Sequence, residues 1–229
     1  ITLYHFKAKF FFLKNIFFQS MPITIAILGY SVAATIVFTY VGLFGEYAVA
    51  GYGSATRIEQ VLLLPVLGIN TAIISIIAQN IGAKYYDRVE QSYFTSIKYG
   101  LFIMLIAGVV IFISADIVPK FFSSNPEVIM HGSMYLKISA FIIPAYPIFF
   151  LSNGFFMALK KSEKAMLNNI ARNVVVPILS FYIARSINAD FKTFFYIWAI
   201  FQWLISLILL FYVKYYIKYK LANVCLLYT

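Results

Sequence analysis

GEYAVAGYGSATRIEQVLLLPVLGINTAIISIIAQNIGAKYYDRVEQ, residues 45–91, decides the fold class. Between Glu59 and Lys84 it carries no charged side chain, which is long enough to cross a hydrocarbon core of ~30 Å as a helix. It is not a uniformly apolar span. At about 100° per residue, Gly53, Arg57, Gln60, Gly68, Thr71, Ser75 and Gln79 share a sector about 100° wide, interrupted only by Val61 and Leu64. Lipid offers such groups no partner, so a striped membrane helix packs against another helix or faces a water-filled cavity.

The rest of the chain agrees. Of its 229 residues 62% are hydrophobic and 11% charged, with mean hydropathy +0.87, far from the balance of soluble domains. The net charge of +10 does not indicate nucleic acid, because the cations punctuate apolar runs instead of forming a basic face. Cys225 stands alone, His5 and His131 are isolated, and no metal-ligand pattern exists. Nothing resembles a catalytic triad, a P-loop or a dinucleotide fingerprint, so the chain is not expected to be an enzyme. Residues 1–18 lack the apolar core and cleavage site of a signal peptide and are expected to form a cytoplasmic, interfacial linker.

Stretches free of Lys, Arg, Asp and Glu predict an all-α integral membrane protein with six helices, at about 19–43, 54–81, 93–115, 132–157, 165–185 and 193–215, and a tail over 216–229. Eleven lysines and arginines flank one side of these spans and three (Lys120, Arg185, Lys192) the other. The positive-inside rule therefore puts both termini in the cytoplasm, for a multi-pass protein of the cell's inner (plasma) membrane. Pro144 and Pro147 mark the expected bend.

Charges at membrane depth need a partner or a function. Arg57 and Glu59 are about 200° apart on a helix and do not share a face. From a helix start near residue 54, Glu59 sits one or two turns in. A salt bridge at headgroup level accounts for it better than a place in a transport pathway, though both readings stand. Arg172 either snorkels to phosphates or faces a cavity. Asn153, Gln202, Asn168, Asn169 and Asn173 can hydrogen-bond between helices.

Residues 45–91 also resemble one bacterial branch of the multidrug and toxic compound extrusion (MATE) transporters, at the second helix of their C-terminal half. The shared features are Arg57-Ile58-Glu59, the Leu64-Pro65-Val66-Leu67-Gly68 run, Gln79-Asn80-Ile81-Gly82-Ala83 and Asp87-Arg88-Val89. The likeness extends weakly to Met157–Lys161. It implies one six-helix lobe of a two-lobe (6+6) transporter, with an N-terminal lobe as partner. The function implied is a secondary-active antiporter exporting small amphipathic, often cationic compounds against an H⁺ or Na⁺ gradient. One branch of the family binds its coupling cation on two carboxylates of this lobe, but Tyr30 and Phe149 stand at those places here. No cofactor is expected, and the coupling ion is expected in the N-terminal lobe. The candidates for the substrate pathway or for helix packing are Arg57, Glu59, Gln60, Thr71, Ser75, Gln79, Asn153 and Arg172. Two other functions are weighed against this one. A lipid-linked oligosaccharide flippase of the same superfamily would want more cleft cations than Arg57 and Arg172. A truncated, non-transporting membrane remnant is the other.

Overall fold

A turn at Gly42–Gly45 starts the helix that carries the deciding stretch. Gly45 has a positive φ of 99°, a conformation glycine adopts without strain, and the helix α2 (Glu46–Gly82) begins immediately after it. This is eight residues before the expected start, so Glu59 lies more than three turns into the helix. The small residues Ala48, Ala50, Gly51 and Gly53 do not delay the helix, and Gly51 lets it touch another one. A Cβ on Gly51 would stand 2.6 Å from the Val128 carbonyl oxygen and 2.8 Å from the Gly132 nitrogen, so only glycine allows this approach of backbones.

The computed structural model describes residues 10–221, and all regular structure among them is helical. Helix α1 (Phe10–Gly42) runs back through the second half of the expected linker; residues 1–9, and 222–229 of the expected tail, lie outside the described residues. After α2 come α3 (Tyr86–Ser114), a 3₁₀ turn (Val118–Phe121), α4 (Pro126–Ile142) and α5 (Ala145–Ala158). Then α6 (Ser162–Ile170), a π-helical segment (Ala171–Val175) and α7 (Val176–Ser186) form one continuous run, followed by α8 (Phe191–Tyr216) and a π turn (Ile217–Leu221). Helices α2, α3 and α8 are each long and apolar enough to cross a membrane, and α4 with α5 passes the same test as a pair bent by 53°.

The bend has a local cause and a remote support. Pro144 cannot donate to the Ala140 carbonyl, and the helix breaks there. Gly108 of α3 packs against that freed oxygen so closely that a Cβ would come within 2.6 Å of it. The neighbouring Phe141 carbonyl accepts a hydrogen bond of 2.7 Å from the indole N–H of Trp203 on α8. Two helices distant in sequence thus support the broken turn, α3 by close packing on the Ala140 oxygen and α8 by a hydrogen bond to its neighbour.

Helix α2 packs most extensively, against α4, α5 and α3, while α5 also leans on α8 and α1 on α6. Two aromatic clusters hold the ends of the lobe. At one end, Tyr52 lies 4.8 Å from Tyr135 and 5.4 Å from Phe195, and Tyr40 stacks on Phe194 at 4.1 Å. At the other, Phe155 packs on Tyr93 and Phe156 on Tyr216. Lipid is as apolar as these rings, so their contribution is close packing more than escape from water. Between the clusters the core thins to Val66, Met104 and Ile143.

Candidate functional site

Polar side chains occupy that thin middle. Glu59, Arg172 and Gln202 are 8%, 6% and 4% exposed, and Asn173, Ser180 and Ser206 are also buried. Each is carried there by its helix. Glu59 is set by the α2–α4 contact at Gly51, which also brings Tyr135 of α4 alongside: its hydroxyl donates to Glu59 Oε2 at 2.8 Å. The other oxygen, Oε1, is buried and accepts no hydrogen bond among the described residues. Arg172 sits in the π-helical segment. Pro177 has no N–H to give the Asn173 carbonyl, and the widened turn absorbs the mismatch, with Val176 bonding back to Ala171.

Arg172 Nε donates to Gln202 Oε1 at 2.6 Å. Its guanidinium lies over three rings of α5, 4.3 Å from Phe149, 4.8 Å from Tyr146 and 5.4 Å from Phe150, a desolvated cation–π arrangement. Glu59 and Arg172 do not close an ion pair. Instead both border one opening of about 190 Å³, shared with Tyr30, Gln60, Tyr146 and Phe150. In place of the headgroup salt bridge favoured for Glu59 stands a buried carboxylate with one free oxygen, and Arg172, left by the sequence between snorkelling and a cavity, is enclosed by aromatic rings. An acceptor and a guanidinium, held apart across an aromatic-walled opening, suit a ligand that offers both a donor and an apolar face.

Of the sequence candidates, Glu59, Gln60 and Arg172 meet at this opening. Asn153 is buried elsewhere, accepting from Asn168 at 3.2 Å, and Gly154 beside it faces Asn70 so closely that a Cβ would strike the amide oxygen. Arg57, Thr71, Ser75 and Gln79 are exposed along α2. From Arg57 onward the stripe is thus exposed in this lobe, while Gly53 is half-buried beside Phe38 of α1; Gly68 has nothing within 4 Å of its Cβ position. Tyr135 and Tyr146 were not singled out in the sequence, and Tyr30 was noted only as standing where a family carboxylate would be. Tyr135 lies 76 positions from Glu59 in a chain with 18 tyrosines, and no local spacing marks it. Outside the membrane helices, Asp116 pairs with Lys137 at 2.8 Å and accepts from Ser133. Those bonds, Lys137 first, hold its carboxyl below the usual range.

Comparison with known proteins gives a consistent picture. The family model described as MatE matches residues 22–183. The chain is 27% identical over 149 residues to a probable multidrug resistance protein, YpnP, of Bacillus subtilis, covering 65% of this chain and 32% of that one. It is 23% identical over 176 residues to the multidrug export protein MepA of Staphylococcus haemolyticus, covering 76% and 39%. A FAD transporter of Shewanella oneidensis is 32% identical over 91 residues, 40% of this chain and 20% of its own. Among solved structures, a MATE protein in complex with MaL6 superposes with a TM-score of 0.88 at 21% identity, over 97% of this chain and 50% of that one. A transporter of the wider MOP superfamily from Pyrococcus furiosus, described as having a binding pocket of reverse polarity, gives 0.88 at 22% over 95% and 49%. The chain spans a third to two fifths of those two multidrug relatives and half of the matched structures.

Proposed function

The chain belongs to the MatE family of transporters, and from that premise we propose that it forms the C-terminal lobe of an ion-gradient-driven exporter of small amphipathic organic compounds. The observation that carries this reading is the pairing of two uncovered features. The Glu59–Arg172 opening lies beside the thin Val66–Met104–Ile143 core between the aromatic clusters, and the polar stripe of α2 from Arg57 to Gln79 is exposed in the lobe. A second lobe set against α1 and α2 would convert the opening into one wall of a cleft, in keeping with midplane sites at lobe interfaces. Arg57, Thr71, Ser75 and Gln79 would then line the boundary between lobes, and Glu59, Gln60 and Arg172 the substrate wall.

The coupling ion, H⁺ or Na⁺, is assigned to the other lobe. Tyr30 and Phe149 stand where one branch of the family carries coupling carboxylates, and both flank Glu59 or Arg172 here. This lobe's charges therefore serve substrate contact in the proposal. A flippase of pyrophosphate-linked lipids is less well supported, because Arg172 reaches the opening while Arg57 does not line it. Both termini are placed in the cytoplasm on the lysine and arginine count.

The test is transport of ethidium into proteoliposomes under an imposed H⁺ or Na⁺ gradient. It compares the chain alone with the chain joined to a preceding six-helix lobe. The joined protein should transport, the lobe alone should not, and Glu59→Gln or Arg172→Gln should cut kcat/KM by about tenfold or more, the scale of losing one buried charged contact. Full transport by both variants would remove the opening from the substrate path. Loss of ion dependence in Glu59→Gln, with downhill substrate flux retained, would move coupling into this lobe.

A further inference from the structure

The membrane side opposite the termini is poor in cations, yet two of its three flanking lysines and arginines converge on one place. Lys120, in the 3₁₀ turn, and Lys192, in the first turn of α8, both line a groove of about 640 Å³ between α4 and α8. Neither closes a hydrogen bond or ion pair among the described residues. Lys137 borders the same groove, but Asp116 engages it, and Asp116 is further occupied by Ser133. Lys120 attracts Asp116 and Lys192 attracts Asp190 through space without closing a contact, and three lysines against one carboxylate leave the lining of the groove positive. The nearest other carboxylates have local duties. Asp190 caps α8 through the Thr193 amide at 3.1 Å, and Glu127 lies in the first turn of α4.

Below the lysines the groove turns apolar. Tyr196 is shared with a second hollow of about 410 Å³ that follows α8 through Ala199, Trp203 and Leu207. Trp203 in turn is shared with a third, of about 380 Å³, beside Phe141 and Pro144 at the α4–α5 bend. From Tyr196 to Leu207 this trough runs roughly 16 Å at 1.5 Å per residue, about the depth of one leaflet of a ~30 Å core. Its rim carries exposed apolar side chains, Ile200, Leu204 and Ile208 among them, as a surface turned to lipid should. The groove is on different helices from the Glu59–Arg172 opening and shares no lining residue with it.

We propose that this groove is a binding site for one anionic glycerophospholipid of the leaflet opposite the termini, with its phosphate on Lys120 and Lys192 and an acyl chain in the trough beneath. Two lysines that close no ion pair, at the mouth of an apolar channel about one leaflet long, match that molecule in charge and length. Because Trp203 both floors the trough and holds the Phe141 carbonyl, the lipid packs against the residue that supports the bend.

The test is native mass spectrometry of the full chain in mild detergent, titrated with dioleoyl phosphatidylglycerol or dioleoyl phosphatidylcholine. One tightly held phosphatidylglycerol is expected, with phosphatidylcholine weaker. Each lysine removed from Lys120 and Lys192 should lower affinity about fivefold, the scale of one cation near an anionic headgroup. Ala199→Phe, which fills the trough and leaves the lysines, should also weaken the lipid without changing the melting midpoint. Three results would overturn the proposal: an unchanged adduct in the double lysine variant, an equal loss in Lys160→Ala/Lys218→Ala at the other membrane face, or glycerol 3-phosphate competing as well as the lipid with Ala199→Phe silent. The first two mark non-specific binding, the third a headgroup pocket only.

Discussion

Gly51→Ala adds one carbon to the chain and should loosen the whole site. The new Cβ would meet the Val128 carbonyl oxygen at 2.6 Å, where ordinary contact begins at 3.4 Å, so α2 and α4 must part by about 0.8 Å. The obstacles are backbone atoms, which cannot rotate away. Overpacking of this kind costs about 1–3 kcal/mol. Against it stands a gain of about 0.5–1 kcal/mol from replacing a helical glycine by alanine. The net expectation is a loss of up to about 2 kcal/mol. At roughly 2–4 °C per kcal/mol for a chain of this size, the melting midpoint in detergent falls by several degrees. The same movement draws Tyr135 from Glu59, whose 2.8 Å hydrogen bond crosses the same helix pair eight residues further along α2, so substrate affinity of the two-lobe protein should fall with stability. Gly68→Ala is the control: it has open space and should leave the melting midpoint of this lobe unchanged or raised. The assay is intrinsic fluorescence during heating at two scan rates, beside ethidium transport. Equal melting of Gly51→Ala and the parent would refute the argument that backbone contact at Gly51 sets the α2–α4 distance.

The remaining expectations concern other contacts. Trp203→Phe leaves the Phe141 carbonyl without its donor and should cost about 1–3 kcal/mol, read as a lower midpoint that Trp203→His, an N–H donor, partly restores. Gly154→Ala pushes against the Asn70 amide and should destabilise; in an Asn70→Ala background the same change should cost far less, giving a coupling of about 0.5–3 kcal/mol in a double-mutant cycle. Asp116 has its folded carboxyl below the usual range through Lys137 and Ser133. Its contribution is present above the unfolded value near ~3.9 and lost as pH falls through the folded one. Asp116→Asn should therefore melt below the parent at neutral pH, with the difference closing toward pH 3. A difference that stays constant across that range would assign the effect to something other than the carboxylate. Ser75→Trp on the uncovered face of α2 should leave the lobe's melting unchanged and abolish transport in the two-lobe protein; unimpaired transport would mean that this face does not meet the second lobe.

Much of this was readable in the chain. Charge-free runs, aromatic content and lysine placement dictate membrane helices because lipid leaves the backbone no other partner, and Pro144 announces the bend because it lacks an N–H. The residues of the Arg57–Val89 segment placed the family. The stripe on α2 was also visible as periodicity, though not which side of it would be covered. Helix boundaries were the weaker part. The span was expected to begin near residue 54, after the small residues Ala48, Ala50, Gly51 and Gly53. Their role is a contact with α4, a partner about eighty residues away, and that contact carries Glu59 deep into the lobe.

Sequence by itself determined the composition-driven facts, the helical period, the broken helix and the family, since each follows from a residue's own chemistry or from close neighbours along the chain. Only the tertiary structure decided that Glu59 keeps an unpartnered oxygen beside Tyr135, that Arg172 is boxed by Tyr146, Phe149 and Phe150, and that Lys120 and Lys192 share a groove. Those are distances between side chains 22 to 76 residues apart in the chain. They are set by where glycines let backbones touch and where prolines turn them, which no window along the sequence contains.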